Sequence, residues 1–238
     1  MSLAIYFATL YEADAAYREL LAKNSIDAST LESSETDSYI YRDLSSDLSI
    51  DYDAVKEKSP DYIGWLNIPN TEISYPAMYL EGDNDFYLHR LPDGTKNFAG
   101  SLFLDGNSTG INSENLIIYG HNMKNGSMFG RLKKFTNKEY FDAHPYIELH
   151  TEHGVRFYII FSVRKVLRED QTTYVVDGFD KKEYIKNAVN ENKYSYKELT
   201  REFDYQDIER HVVPQLITLS TCTEDSKYRL VVNAIRIK

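Results

Sequence analysis

From about residue 61 onward, apolar residues come in short runs broken by turn residues. Such runs cover residues 62–68, 73–78, 100–104, 115–119, 146–150, 155–166, 215–221 and 228–237. They are rich in Ile, Val, Leu, Tyr and Phe, with Gly, Pro and Asn between them, which is the signature of strands joined by tight connections. Many short strands of this kind predict a mainly β fold, a barrel or a sandwich. The run 155–166 is long enough to be a central strand. Helical spacing appears elsewhere. Residues 8–23 are rich in Ala, Leu, Glu and Tyr without Gly or Pro and predict a helix, and a second is expected around 45–58. The Ser/Thr/Asp/Glu-rich stretch 24–38 between them reads as a link. Late in the chain, Tyr184, Ile185, Ala188 and Val189 recur at helical spacing across 181–192, with Asp180 placed to cap the first turn. The expected organisation is an N-terminal helical extension over 1–60 and one β domain over 61–238, with a helix between its two late strands.

The single cysteine, Cys222, falls at the end of the strand predicted over 215–221. A lone cysteine cannot close an internal disulfide or build a thiolate metal cluster. A small buried hydrophobe is its commonest role. A nucleophile is the alternative, and what surrounds it bears on the choice. A polar turn, Glu224-Asp225-Ser226-Lys227, leads from Cys222 into a strand whose second residue is Arg229. Such a hairpin would set a permanently charged guanidinium beside the thiol, able to favour thiolate or to donate to an oxyanion.

The strand 115–119 runs into Gly120-His121-Asn122-Met123. Gly120 ends the strand, so His121 opens a loop, where catalytic groups concentrate. Cysteine acyl chemistry needs a proton donor for the leaving amine. Histidine is the side chain suited to that near neutral pH, and it need be near only in space.

These segments together resemble the sortase family of cysteine transpeptidases, most closely its class B branch. The residues that carry the resemblance are Leu219-Ser220-Thr221-Cys222, Tyr119-Gly120-His121-Asn122-Met123 with Ser127-Met128-Phe129, and Arg229. Further matches are the run from Gly64-Trp65-Leu66 to Tyr75-Pro76, Asp83-Asn84-Asp85-Phe86-Tyr87-Leu88, and Ala99-Gly100-Ser101-Leu102-Phe103-Leu104-Asp105. They cover roughly residue 61 to the C-terminus. The resemblance implies a closed, mainly antiparallel β-barrel of about eight strands with N-terminal helices.

It also implies a reaction. Cys222 would attack the carbonyl of a threonine in a C-terminal sorting motif of a secreted protein, forming a thioacyl-enzyme. His121 would serve as general acid and then base, and Arg229 would stabilise the oxyanion. The acceptor would be an amino group of the peptidoglycan cross-bridge, reached at the outer face of the membrane of a Gram-positive cell. Substrate-binding positions carried over from the family are Asn84, Leu88, Tyr174, Val175 and Ser220. For Leu88 and Val175 plain barrel packing is the competing reading, for Asn84 a turn. No cofactor or metal is implied.

The chain departs from the family pattern in a short turn between Cys222 and Arg229 and in Thr223 after the cysteine. Both bear on peptide specificity. Arg236 is a remote substitute for Arg229, far along its strand. The other histidines, His89, His144, His150, His153 and His211, lie in polar surroundings; His150 and His153 flank a hairpin turn. The acidic run Glu81 to Asp85 reads as a solvated loop ahead of a calcium site. A net charge of −10 argues against nucleic acid and against adhesion to an anionic membrane. No run of 18 apolar residues spans a bilayer. Family members carry an N-terminal anchor, so Met1-Ser2-Leu3 is read as standing in place of one. Two further readings remain open. One is a pilin-polymerising enzyme with a lysine acceptor, for which the pair Asp85-Phe86 is a weak lid signal. The other is a non-catalytic surface domain that only holds a peptide.

Overall fold

The computed structural model describes residues 48–190, 199–200 and 215–237. The helix expected over 8–23 and the link after it lie outside the described residues, as does His211. Of the second N-terminal helix, α1 is Tyr52–Lys58, capped by the Asp51 carboxylate, which accepts from the Ala54 amide. Its Val55 packs with Tyr62, Trp65, Met78, Tyr87 and Phe103 on the outside of the β domain.

The strands are β1 Tyr62–Asn67, β2 Ser74–Met78, β3 Leu102–Leu104, β4 Asn115–Tyr119, β5 Tyr146–Thr151, β6 Gly154–Leu167, β7 Leu199–Thr200, β8 Leu216–Cys222 and β9 Tyr228–Arg236. They form one sheet in the order β5-β1-β2-β3-β4-β8-β9-β6-β7, and an additional β5–β6 pairing closes it. The closed ring is therefore an eight-stranded barrel, with the two-residue β7 added alongside β6. All of its pairings are antiparallel except β2–β3 and β4–β8. Between the strands lie three short elements that the sequence pattern did not announce, 3-10 turns at Tyr87–His89 and Leu132–Thr136 and α2 Lys138–Ala143. The late helix, α3, is Lys181–Asn190.

Strict alternation of side chains divides each strand between the barrel interior and its outer face. On β4, β8 and β9 the inward set is Leu116 and Ile118, Ile217 and Leu219, and Leu230, Val232 and Ala234, all in the main core. The outward set is Asn115, Ile117 and Tyr119; Leu216, Thr218, Ser220 and Cys222; and Arg229, Val231, Asn233 and Ile235. At one end of this face α3 covers the sheet, burying Tyr184, Ile185 and Ala188 against Phe161, Leu216 and Ile235. A β-bulge between Ile160 and Ser162 of β6 sits against this layer, and Ser162 Oγ donates to the Ala188 carbonyl at 2.8 Å.

Polar residues in the middle of the same face are joined in a buried network. Asn233 Nδ2 donates to Thr218 Oγ1 at 2.9 Å and to Tyr184 Oη at 3.0 Å. Thr218 donates to Asn115 Oδ1 at 2.9 Å, and Asn115 Nδ2 donates to the Val175 carbonyl at 2.9 Å. Arg164 of β6, only 3% exposed, donates through Nε to Asn233 Oδ1 at 3.2 Å and through Nη2 to Thr173 Oγ1 at 3.1 Å. Thr173 in turn donates to Asp170 Oδ2 at 3.1 Å. The network thus fastens the loop from Asp170 to Val176 down onto four neighbouring strands.

A buried donor or acceptor stripped of its partner costs on the order of 1–3 kcal/mol. Asn233→Ala removes an acceptor from Arg164 and a donor to two hydroxyls, so it should lower stability by about 2–3 kcal/mol, read as a reduced urea midpoint at unchanged slope. A midpoint within error of the parent protein would show that the network contributes nothing to the fold.

Candidate active site

The outward faces of β4, β8 and β9 leave the cover of α3 at their C-, C- and N-terminal ends respectively. There they form the floor of a groove of about 570 Å³, lined among others by Asn84, Leu88, Phe103, Tyr119, His121, Tyr174, Ser220, Cys222 and Arg229. The register brings these residues together. The parallel pair β4–β8 sets Tyr119 opposite Ser220, and the pairing continues as the Gly120 amide donates to the Ser220 carbonyl at 3.2 Å. His121 and Cys222 each lie two residues beyond that pair, so they leave adjacent strand ends in step. On the other side, the antiparallel pair β8–β9 sets Cys222 directly opposite Arg229. His121 just past the end of β4, Cys222 at the end of β8 and Arg229 near the start of β9 are therefore brought to neighbouring positions at one end of the sheet. Arg236, the substitute considered for Arg229, pairs with Tyr158 at the far end of β9.

Cys222 is exposed and free, which sets aside the reading as a small buried hydrophobe. Two contacts tie its strand end to the histidine loop. Asn122 Nδ2 donates to the Cys222 carbonyl at 2.8 Å, and Thr221 Oγ1 donates to the Gly120 carbonyl at 2.7 Å. Gly120 has no room for a side chain: a Cβ there would come within 2.4 Å of Leu102 Cδ2 and 2.7 Å of Phe129 Cδ2. Arg229 Nη1 donates to the carbonyls of Ser226 at 3.1 Å and Tyr228 at 3.0 Å. Its Nε and Nη2 make no hydrogen bond among the described residues and remain as donors beside the thiol.

His121 Nε2 lies 2.7 Å from the Leu88 carbonyl. Its ring is stacked with His89 at 5.6 Å and with Phe98 at 6.1 Å between centroids. Burial lowers the His121 pKa from the usual histidine value. The charge on protonated His89 lowers it further, against a partial rise from the Leu88 hydrogen bond.

Two tyrosines build the opposite wall. Tyr119 donates to Asp105 Oδ2 at 2.7 Å, and its ring stacks on Tyr174 at 6.1 Å. Tyr174 and Ser220 share a hydroxyl hydrogen bond of 2.9 Å. Burial pushes the Tyr174 phenol up to about 12, opposed by the Ser220 hydrogen bond and the Arg229 charge, so it stays a neutral donor or acceptor. Asn84 holds the adjoining loop, accepting at Oδ1 from the Gly106 amide at 2.7 Å.

Val175 does not line the groove. Its carbonyl is spent on Asn115, and its side chain is packed against the α3 layer. Residues 168–171, Arg168-Glu169-Asp170-Gln171, do line it and were missed; the signal was a fully polar run directly after the longest strand. The acidic run ahead of Asn84 is a turn in which Asp83 Oδ1 accepts from the amides of Asp85 and Phe86. Among the described residues no group of three His, Cys, Asp or Glu side chains is placed to hold a metal ion.

Comparison with known proteins points one way. The sortase domain family model matches residues 66–237. A sortase B of Listeria monocytogenes is 31% identical over 178 residues, covering 73% of this chain and 68% of that protein. The crystal structure of Clostridium perfringens sortase B superposes with a TM-score of 0.65 at 31% identity, covering 78% of this chain and 99% of that one. That of Bacillus anthracis sortase B does so with a TM-score of 0.71 at 27% identity, over 98% and 99% of the two chains.

Because the fold holds His121 with a depressed pKa, the unfolded chain binds its proton more readily. This contribution to stability is complete above about pH 6.5, the unfolded histidine value, and is lost as pH falls below it. The ring resonances of His121 should titrate with a midpoint below 6.5 in an NMR pH series, and His89→Gln should raise that midpoint. A His121 midpoint at or above the unfolded value would contradict the burial described here.

Proposed function

The chain belongs to the sortase family, among relatives of class B, and is a cysteine transpeptidase; from that premise we propose how its residues perform the reaction and on what. Cys222 is the nucleophile. His121 takes the thiol proton as the sulfur bonds to the carbonyl carbon of a threonine in a sorting motif near the C-terminus of a secreted protein. The C–N bond to the next residue breaks, and His121 gives its proton to the departing amine. The thioacyl-enzyme is then attacked by the amine of a peptidoglycan cross-bridge. That amine loses its proton to His121, the C–S bond breaks as the new amide forms, and His121 returns the proton to the sulfur.

Arg229 stabilises the oxyanion of both tetrahedral intermediates. The observation that carries the reading is the register: a free thiol, an imidazole and a guanidinium with unspent donors meet at three adjacent strand ends of one face. The groove running from them past Leu88, Asn84, Tyr174 and Ser220 has room for an extended peptide. We assign those residues to binding the motif, and give Val175 the indirect task of holding the Tyr174 loop. Residues 61–238 are the catalytic domain and 1–60 an N-terminal extension. The enzyme works at the outer face of the cytoplasmic membrane of a Gram-positive cell, anchoring surface proteins to the wall. Exposure of the thiol and the free donors of Arg229 favour this over a domain that merely holds peptide.

A library of fluorogenic sorting-type pentapeptides, assayed with the parent protein and with Cys222→Ala, tests the reading. Cleavage after threonine should be abolished in Cys222→Ala, and mass spectrometry should trap a thioacyl adduct on Cys222. Arg229→Met should lower kcat/KM about 10²–10³-fold, the usual cost of an oxyanion donor, while the adduct still forms slowly. Cleavage that persists in Cys222→Ala would refute the thiol mechanism.

A further inference from the structure

The imidazole of His121 is fixed at one edge by something other than a side chain. Leu88 is the middle residue of a 3-10 turn, Tyr87–His89, and its carbonyl faces His121 Nε2 at 2.7 Å. A carbonyl oxygen only accepts, so Nε2 must carry hydrogen in the neutral ring as well as in the charged one. The nitrogen left to take up and release a proton is Nδ1. The flanking rings of His89 and Phe98 limit rotation of the imidazole about its Cβ–Cγ bond.

We propose that the Leu88 main-chain carbonyl is the positioning group of His121, holding Nε2 as the permanent N–H so that all proton exchange with substrate and thiol runs through Nδ1. In a triad a carboxylate orients the base and also stabilises its charge. A neutral carbonyl orients it with far less charge stabilisation, which leaves the ring neutral when idle.

The carbonyl is itself held from below. The Ser101 amide donates to Tyr87 O at 2.9 Å and the Asn97 amide to His89 O at 3.0 Å, so the segment from Asn97 to Ser101 runs against the turn. Gly100 makes this approach possible. It has φ +60, and a Cβ there would lie 2.4 Å from the Leu88 oxygen and 2.8 Å from its carbonyl carbon. Leu88 also lines the groove with its side chain, so the residue that touches the peptide is the one that aims the base.

The inference rests on His121 being the proton carrier of the proposed reaction, but its first test needs no substrate. With ¹⁵N-labelled histidine and at a pH well above the His121 midpoint, the ring should show hydrogen on Nε2 alone, in slow exchange with water. Hydrogen on Nδ1, or an Nε2 proton that exchanges as fast as in free imidazole, would overturn the assignment. Gly100→Ala should abolish the slow exchange and lower kcat/KM about 10²-fold, the scale of a misplaced catalytic group, with KM for peptide nearly unchanged. A Gly100→Ala protein that keeps the slow Nε2 proton and still loses activity would show that Gly100 does not act through Leu88. If that variant fails to fold, the measurement on the parent protein decides. Failure of the thiol mechanism would appear separately, as cleavage surviving Cys222→Ala, and would leave the ring spectrum untouched.

Discussion

The site depends on the parallel register between β4 and β8. Everything reactive sits on the outward parity of its strand, and a slip of one residue would turn Cys222 or Tyr119 into the apolar core. The register is secured from within by Leu116, Ile118, Ile217 and Leu219, all fully buried in the barrel, whose exposure would cost each about 1.5–3 kcal/mol. It is secured at its end by the Gly120 and Thr221 hydrogen bonds. The same core that stabilises the barrel therefore sets the histidine beside the cysteine. No separate local motif is needed.

Around that pair the protein combines a polar support with partial burial of the histidine. The loop that bears Tyr174 hangs on Arg164, Asn233, Thr218 and Asn115, a chain of groups each satisfied by the next. Such a network is rigid while complete and costly when broken. Opposite it, burial shifts His121 toward its neutral form and Tyr174 toward its protonated one. On the strand paired with that of the thiol stands the guanidinium of Arg229, whose charge no burial removes at physiological pH.

Much of this was legible in the sequence, for specific reasons. Each barrel strand was visible because alternation, or a short apolar run between Gly, Pro and Asn, suits an extended segment far better than a helix. The helix at α3 was visible because its apolar residues recur on one face. Cys222, His121 and Arg229 stood out as residue types at strand ends. The 3-10 turn at Leu132–Thr136 and α2 were not legible, being too short for a period to show. Val175 was placed in the groove from the resemblance, and the loop instead turns its side chain towards α3. The contribution of Leu88 through its carbonyl was beyond reach as well, since a backbone atom leaves no trace in residue identity; Gly100 was the only mark of it.

The order of strands around the barrel has a temporal consequence. The proposed nucleophile, Cys222, lies on β8 and Arg229 on β9, the last two described strands, yet β8 must insert between β9 and the much earlier β4. Contacts between segments so distant in sequence form late, after the entropy of closing the intervening loop has been overcome. As the polypeptide emerges from its N-terminus, the histidine loop is complete long before the thiol exists to meet it. No chain truncated before the end of β8 carries both His121 and Cys222. The groove in which the two residues meet is therefore complete only once β8 is seated between β4 and β9.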